Sequence, residues 1–484
     1  MKSRPFSAAC LIVLMYGLCA ATVAKSADGP AQPETEATAE VNVHPGRQGR
    51  AIPQDFLGFS YEAPVLAQDY FDADNEALAN LLSNLGTGVL RFGGNSVEFT
   101  YWSRNGKISA PKARAILTPQ DLDRLFAFSS KTGWRVILGL NLGHYDPQMA
   151  ADEAAYAVAR GGSHLLAIEI GNEPDLFMHN GQRPATWGYR DFRREFEAYV
   201  QAIRSRSPDA PISGPTACCK AGLEWFPQFL ADEGSQLVMA NFHNYPMSAS
   251  QALSPNSPRY PTIERMLSSE LMDGVAKEIR QLADEAQVHH LPLRMAEVNS
   301  ASSGGKNGVS NVFAAALWGA DYAFTLAEQG AAGLNFHGGF RCEGYTPVCI
   351  SHGTYSAQPL YYGMLLFHAA TPGRLVLVRV RSKANVSAYG VLAKDGMLHL
   401  ALINKDVRQS VRVRISGAGS YSQARVLRLI APSLGSQTGI TFGGSPVGPT
   451  GDWSPTSAEK IERRGRAFLV QLPAASAAVV NLHK

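Results

Sequence analysis

Short apolar runs alternate with amphipathic stretches eight times between residues 56 and 336, and this alternation constrains the fold more than any other feature. The apolar runs, most of them followed by Gly, Asn, Glu or His, are 56–61, 88–92, 135–140, 165–170, 211–215, 237–242, 293–298 and 333–336. Helical periodicity marks the segments between them, for example 119–132, 191–206, 262–286 and 312–329. This order predicts a (β/α)8 barrel. A doubly wound open sheet is the alternative, but no Gly-x-Gly-x-x-Gly motif follows the first run.

From residue 374 onward the pattern changes to short strands separated by Gly, Pro and Ser turns, with no helical stretch. The strands are expected at 375–380, 385–392, 398–404, 411–415, 424–429 and 467–470. They predict a β-sandwich over 374–484 that follows a catalytic barrel over 39–373. Residues 39–50 are a candidate extra strand of the sandwich. Because few exposed aromatic residues are indicated, we expect the sandwich to support the barrel and not to bind a ligand.

The first 24 residues have the features of a secretory signal peptide. Two basic residues precede an apolar run over 8–24 that is too short for a membrane span. Small residues predict cleavage near Ala24 or Ala27. Residues 25–38, rich in Ala, Glu, Thr and Pro, are predicted to be a flexible leader. We therefore expect a secreted or periplasmic protein with no membrane anchor after signal removal.

Composition and charge exclude several classes of protein. Hydrophobic residues make up 45% and charged residues 18% of the 484 residues, which excludes a disordered or coiled-coil protein. The 44 Lys and Arg and 41 Asp and Glu give a formal net charge of +3, too balanced for a protein that finds nucleic acid by charge. We see no metal-ligand spacing or cofactor motif, so we expect no metal and no cofactor.

Four cysteines follow the predicted cleavage sites. Cys342 and Cys349 flank a short loop of Gly, Tyr and Pro, where an oxidising compartment would permit a disulfide. Cys218 and Cys219 are adjacent, and the sequence is compatible with a vicinal disulfide or with two separate thiols. Neither pair has the spacing of a zinc site.

Polar residues follow seven of the eight predicted barrel strands, at the end where barrel enzymes place their catalytic groups. Glu173 follows the fourth strand and Glu297 ends the seventh. Since three strand–helix units separate them, they are expected to face each other across the barrel mouth. Their carboxyl groups could then approach to about 5–5.5 Å, the separation that retaining glycoside hydrolysis requires.

This pair of glutamates predicts a double-displacement glycosidase. We assign Glu173 as the general acid/base that protonates the leaving oxygen, and Glu297 as the nucleophile that attacks the anomeric carbon. Asn172 is expected to hydrogen-bond the 2-hydroxyl of the sugar. Taken singly, each glutamate could instead be a capping or salt-bridging residue.

Several further motifs, each occurring once, lie in the two predicted domains. They are Ile170-Gly-Asn-Glu-Pro-Asp175, Arg91-Phe-Gly-Gly-Asn95, His243-Asn-Tyr245, Glu297-Val-Asn-Ser300 with Gly304-Gly-Lys306, Asn335-Phe-His-Gly-Gly339, Gln358-Pro-Leu-Tyr-Tyr-Gly-Met-Leu-Leu-Phe367 and Phe442-Gly-Gly-Ser-Pro-Val447. This set closely resembles the β-glucuronidase and heparanase family of glycoside hydrolases, family 79. Asn-Glu-Pro alone is shared by many retaining barrel glycosidases, whereas the combination across both domains is specific.

The resemblance implies an exported hydrolase that acts on a glucuronate-containing oligo- or polysaccharide. It implies that the backbone N–H groups of Gly304 and Gly305 and the phenol of Tyr345 hold the sugar carboxylate. Relatives often carry a tyrosine between the nucleophile and these glycines, whereas this chain has serines at 300, 302 and 303. The substrate is therefore expected to be β-linked glucuronic acid or a substituted form such as the 4-O-methyl derivative.

The resemblance also implies roles for four polar residues around the glutamate pair. Tyr245 is expected to hold Glu297 in place, and Arg91 to keep it ionised by opposite charge. Glu62 and Asn95 are expected to reach ring hydroxyls. Two other functions stay open: a retaining glycosidase for a neutral sugar, such as an arabinofuranosidase or xylosidase, and a secreted carbohydrate-binding protein without catalysis.

Overall fold

The structure is a computed structural model that describes residues 35–108 and 112–484. The predicted signal peptide, its cleavage sites and the predicted leader as far as residue 34 lie outside the described residues. The prediction of a flexible leader is wrong for 35–38. These residues begin the first strand because they pair in parallel with 409–412.

The strands in chain order are β1 (Thr35–Ile52), β2 (Gly58–Glu62), β3 (Val89–Gly93), β4 (Thr100–Trp102), β5 (Ala115–Leu117), β6 (Arg135–Leu140), β7 (Leu165–Ile170), β8 (Ile212–Ala217), β9 (Leu237–Asn244), β10 (Met247–Ser248), β11 (Leu293–Val298), β12 (Ala301–Ser302), β13 (Gly333–His337), β14 (Val348–Ser351), β15 (Thr354–Ala357), β16 (Gly373–Ser382), β17 (Val386–Leu392), β18 (Leu398–Asn404), β19 (Gln409–Ser416), β20 (Gln423–Ile430), β21 (Thr441–Phe442), β22 (Glu459–Glu462), β23 (Phe468–Leu472) and β24 (Ser476–His483). The helices are α1 (Glu76–Ser83), α2 (Pro119–Thr132), α3 (Pro147–Gly161), α4 (Tyr189–Arg206), α5 (Cys219–Glu233), α6 (Ile263–Met266), α7 (Ser269–Val288), α8 (Phe313–Gln329) and α9 (Pro359–Ala369).

Eight parallel strands close into a barrel in the order β2, β3, β6, β7, β8, β9, β11 and β13. The predicted (β/α)8 barrel is confirmed. Strands β6, β7 and β11 have the bounds expected from the sequence, and the other five shift by one or two residues at one or both ends. The apolar side chains of these strands are almost completely buried. Those that point outward are covered by the helices, and those that point inward pack against side chains of the other strands.

One predicted helix, over 262–286, is instead two helices, α6 and α7. Thr262 caps α6 and accepts a hydrogen bond from the N–H of Arg265. Ser268 caps α7 in the same way, with the N–H of Leu271 as donor. Short hydroxyl side chains favour N-cap positions over helix interiors, so the chain begins a new helix after Ser268 instead of continuing α6.

The C-terminal strands and β1 form one ten-stranded sheet in the order β21, β20, β24, β18, β17, β16, β1, β19 and β23, with β22 paired to β20. Both halves of the sheet contribute to one core, for example Val41 and Val413 from one half and Leu400 and Val480 from the other. This arrangement confirms the predicted β-sandwich. The candidate strand 39–50 lies within β1, between β16 and β19.

Helix α8 joins the barrel to this sheet through buried polar contacts. The Asp321 carboxylate of α8 accepts a hydrogen bond from the Tyr389 hydroxyl at 2.7 Å and pairs with Lys405 Nζ at 2.6 Å. These partners lie on β17 and directly after β18. No helix within the described ranges is long and apolar enough to cross a membrane.

Candidate active site

Glu173 and Glu297 meet in one cavity of about 940 Å³ at the C-terminal ends of the barrel strands. Glu173 lies in the turn after β7, and Glu297 is the last residue but one of β11. One carboxylate oxygen of Glu173 and one of Glu297 lie within 4.8 Å of each other. Both residues are buried. The sequence-based prediction that these two acids come together therefore corresponds to the observed placement.

A strained turn presents Glu173 to the cavity. Its φ of 51° is left-handed, a conformation that costs a non-glycine residue about 1–2 kcal/mol. The turn is tied down because the Glu173 N–H donates to the Thr216 carbonyl at 2.8 Å. His243 Nδ1 lies 3.1 Å from Glu173 Oε1 and fixes the direction of the carboxyl group. Such strain is typical of residues that a surrounding structure holds for function.

Glu297 is held by two strong donors. Arg91 Nη1 donates to Glu297 Oε2 at 2.6 Å, and the Tyr245 hydroxyl donates to Oε1 at 2.8 Å. Burial by itself raises the pKa of Glu297, but the charges of His337, His243 and Arg91 and the Tyr245 hydrogen bond outweigh it. The net pKa of Glu297 is well below its usual value, so the carboxylate is ionised, as a nucleophile requires.

Arg91 is completely buried at the centre of this network. Its Nε donates to Glu169 Oε2 at 2.8 Å, and its Nη2 donates to Asn172 Oδ1 at 2.9 Å. Burial lowers the pKa of Arg91, but the charges of Glu169 and Glu297 raise it by more than that. The net pKa is above its usual value, so the guanidinium stays charged. Sequence reasoning missed Glu169. The available signal was a charged residue inside the apolar run 165–170.

His337 lies between two carboxylates. Its Nε2 is 3.7 Å from Glu62 Oε1, and its Nδ1 is 3.7 Å from Glu297 Oε2 and 2.9 Å from Ser60 Oγ. Burial lowers the pKa of His337, but Glu297 and Glu62 raise it above its usual value. A positive charge is thus favoured next to Glu297. Sequence reasoning quoted His337 and His243 in motifs but assigned them no role.

Glu62, expected to reach a ring hydroxyl, lines the cavity and accepts hydrogen bonds from the Ser96 N–H and hydroxyl. Burial raises the pKa of Glu62, but His337 and Ser96 lower it below the usual value. Asn95 also lines the cavity and is exposed. Asn172 is buried beside it, with its Nδ2 donating to Asn95 Oδ1 at 3.4 Å.

Of the three residues expected to hold a sugar carboxylate, Tyr345 and Gly304 line the cavity, whereas Gly305 does not. The Tyr345 ring stacks on Tyr245 with centroids 6.1 Å apart. Among the described residues, no group accepts a hydrogen bond from the N–H of Gly304 or Gly305. Cys342 and Cys349 form a disulfide that closes the loop containing Tyr345.

Two further buried carboxyl groups, Glu98 and Asp175, flank Glu173 and Glu297; sequence reasoning missed Glu98 and quoted Asp175 in a motif without assigning it a role. Burial raises the pKa of Glu98 to about 7 despite hydrogen bonds from backbone N–H groups, among them that of Asn172 at 2.7 Å. Burial likewise raises the pKa of Asp175 to about 7. Nothing in the local pattern around Glu98 distinguishes it from an exposed acid, whereas the motif 170–175 was the available signal for Asp175.

Residues from the turn after β7 and from α5 and α7 also line the cavity. Cys218 and Cys219, both free thiols, are among them, and the Cys218 N–H donates to Asp175 Oδ1 at 3.1 Å. These elements contribute both apolar and charged side chains: Leu176, Leu223, Leu271 and Val275, and Lys220, Glu270 and Glu278. The cavity therefore combines the polar groups around Glu173 and Glu297 with a wall of mixed apolar and charged side chains.

Comparisons with known proteins agree with this architecture. A family model described as the glycosyl hydrolase family 79 C-terminal beta domain matches residues 388–479. A β-glucuronidase of Aspergillus niger is 26% identical over 429 residues, covering 76% of this chain and 77% of that protein. A β-glucuronidase of Neurospora crassa is 28% identical over 395 residues, covering 70% of this chain and 69% of that protein. The crystal structure of a 4-O-α-L-rhamnosyl-β-D-glucuronidase from Fusarium oxysporum has a TM-score of 0.76 at 20% identity, covering 92% of this chain and 100% of the other.

Proposed function

We propose that this chain, a glycosidase that belongs to glycoside hydrolase family 79, removes β-linked glucuronic acid or its 4-O-methyl derivative from a glycan with retention of configuration. In this proposal Glu297 is the nucleophile and Glu173 is the general acid/base. The substrate assignment is supported by the two fungal β-glucuronidases to which the chain is similar.

The observation that carries the mechanism is the approach of the two carboxylates to within 4.8 Å, oxygen to oxygen. This distance suits a retaining glycosidase, in which the acids stand about 5–5.5 Å apart, and leaves no room for the water that an inverting enzyme places between them. Glu297 attacks the anomeric carbon while Glu173 protonates the leaving oxygen. Glu173 then takes a proton from the water that hydrolyses the glycosyl ester on Glu297.

The surroundings of each acid support this division of roles. Glu297 contacts Arg91 and Tyr245 and is ionised. Among the described residues, no arginine or lysine side chain pairs with Glu173, whose carboxyl group lies 3.1 Å from His243 Nδ1. A carboxylate held in its charged form by a guanidinium suits attack on the anomeric carbon, and a carboxyl group without such a partner suits proton transfer.

Two glutamate variants and azide test the proposal on an aryl β-glucuronide. Glu297→Gly should lower kcat/KM by at least about 10⁴-fold, and azide should restore release of the aryl group by forming the α-glucuronyl azide. Glu173→Ala should be rescued through the β-glucuronyl azide, because azide then attacks the intact intermediate. Glu270→Gln, at the exposed cavity rim, serves as the matched control and should behave as wild type. Activity of Glu297→Gly without azide would refute the nucleophile assignment.

A panel of chromogenic glycosides separates this proposal from the two alternatives. Hydrolysis of the β-glucuronide, with little release from the α-arabinofuranoside or β-xyloside, is the expected result. The reverse preference would identify a glycosidase for neutral sugars, and binding without turnover would identify a carbohydrate-binding protein. We also propose that the chain is exported and cleaved near Ala24 or Ala27, which the mass of the mature protein tests.

A further inference from the structure

The small net charge of the whole chain conceals an uneven distribution. Residues 374–484 contain 16 Lys and Arg but five Asp and Glu, whereas residues 1–373 contain 28 Lys and Arg and 36 Asp and Glu. The C-terminal sheet region is therefore strongly basic, and the preceding part of the chain is acidic. Such segregation creates a positive surface potential that the whole-chain value of +3 does not indicate.

Strand register gathers four of these cations on one side of the sheet. Arg379 and Arg381 alternate along β16, and Arg412 and Arg414 alternate along β19. Strand β1 lies between them: Arg381 and Arg414 both pair with Glu40, Arg379 pairs with Asn42, and Arg412 pairs with Thr38. Because side chains alternate across a strand, all four point to the same side. We call this set the arginine face.

The arginine face is exposed along its whole extent. All four arginines are exposed, whereas the intervening residues Val411 and Val413 are buried in the sandwich core. Among the described residues, the side chains of Arg379 and Arg381 have no hydrogen-bond or ion-pair partner. Arg414 Nη1 lies 3.6 Å from Glu40 Oε2, with both side chains about half exposed. The two arginines of β16 are therefore available to a partner, and Glu40 neutralises Arg414 only in part.

We propose that the arginine face binds an acidic polysaccharide. Cations two residues apart on a strand are separated by about 7 Å, and those across β1 by about 10 Å, so the set suits an extended polyanion better than one small anion. Thr38, Asn42 and Gln471 are exposed on the same side and offer hydroxyl and amide groups for sugar hydroxyls. The acidic barrel would repel such a polymer, and the arginine face would offset that repulsion. The choice of polysaccharide rests on the proposed glucuronidase function.

Affinity electrophoresis in hyaluronan, a glucuronate-containing polysaccharide, tests the proposal with the full mature chain. The test variant replaces Arg379, Arg381, Arg412 and Arg414 with Gln. The matched control removes the same charge elsewhere on the C-terminal region, by replacing the exposed residues Lys394, Arg425, Lys460 and Lys484 with Gln. The test variant should bind hyaluronan at least about tenfold more weakly than wild type, and wild-type binding should weaken as salt is added. The control should lose less than about twofold.

Kinetics with a small aryl β-glucuronide separate failure of this proposal from failure of the proposed function. All three proteins should share one kcat/KM value, because the arginine face is not part of the catalytic cavity. If none of the three proteins hydrolyses the aryl β-glucuronide, the proposed glucuronidase function is refuted. The hyaluronan-binding comparison then still tests the arginine face. Equal hyaluronan binding by both variants, or none by wild type, would overturn the proposal. Tighter binding to duplex DNA or to phosphatidylserine vesicles than to hyaluronan would overturn the choice of polysaccharide.

Discussion

Two arginine–glutamate pairs in this molecule show how burial changes what a charge does. Arg91 and Glu297 meet at 2.6 Å in the barrel, with 0% and 8% of their side chains exposed. Arg414 and Glu40 meet at 3.6 Å on the sheet, with 48% and 54% exposed. Water screens the second pair, so it contributes little to stability and remains available to ligands. The first pair is shielded, so removal of one partner leaves an uncompensated buried charge.

The comparison also separates two ways of building a functional surface. The barrel brings together single residues from β2, β3, β9, β11 and β13, each of which points inward and is held by the others. The sheet repeats one exposed residue type along β16 and β19. We therefore expect the barrel site to fail when any one of these residues is lost, whereas the arginine face should depend on the total charge of its arginines.

The largest effect is expected when the buried pair is broken. Arg91→Met should lower the free energy of unfolding by about 3–5 kcal/mol, because Glu169 and Glu297 lose their counter-charge. It should also abolish most activity, since Glu297 is no longer held ionised. Urea denaturation and kcat/KM on an aryl β-glucuronide measure both. Arg414→Met is the matched control, with a change below about 1 kcal/mol and unchanged activity. Equal losses in the two variants would contradict the comparison.

Glu153 gives a second effect, because its buried carboxyl has no hydrogen-bond or ion-pair partner among the described residues. Glu153 of α3 is 4% exposed, and burial, followed by the charge of Asp152, raises its pKa to about 8. Because the folded-state pKa exceeds the unfolded one, its contribution favours folding at low pH and is lost as pH rises through about 8. Glu153→Gln should therefore flatten the decline in stability between pH 5 and pH 9, measured by denaturation at each pH. An unchanged decline would show that Glu153 does not cause it.

His337 gives a smaller effect, seen in the pH dependence of catalysis. Its charge lowers the pKa of Glu297, so His337→Gln should raise that pKa and move the acid limb of kcat/KM to higher pH. His179→Gln, an exposed histidine, is the control and should leave the profile in place. A limb that moves to lower pH, or does not move, would argue against a charged His337 beside the nucleophile.

The smallest effect is expected from the disulfide in the loop of Tyr345. Replacement of Cys342 and Cys349 by Ser should raise KM for an aryl β-glucuronide by a few-fold, about 1 kcal/mol or less, and change kcat less. Without the disulfide, the loop would hold Tyr345 in place only once the substrate has bound, and this ordering would cost binding free energy. A loss confined to kcat would place the effect of the loop on the reaction step and not on binding.

Strong local periodicity of apolar residues made much of the fold predictable. Elements that depend on contacts between residues distant in sequence lack such a pattern. Strands β6, β7 and β11 and helix α2 carry continuous patterns, and their bounds coincide with the sequence-based ones. Strand β24 was missed, since its start is rich in Ala, although it lies between β18 and β20. The break between α6 and α7 was missed because it depends on one residue, the N-cap Ser268.

The candidate site was predictable where residues follow strands, as for Glu173 and Glu297. Glu169 was not found because its partner Arg91 is 78 residues away, and only the closed barrel brings them together. The arginine face was missed for a similar reason: the cations of β16 and β19 become neighbours only when β1 inserts between them.

The stereochemistry of the first product tests the central claim most directly. Proton NMR can follow the anomeric signal of glucuronic acid released from an aryl β-glucuronide before mutarotation. If Glu173 and Glu297 act by double displacement across less than 4.8 Å, the β-anomer should appear first. First appearance of the α-anomer would mean direct attack by water and would contradict the account.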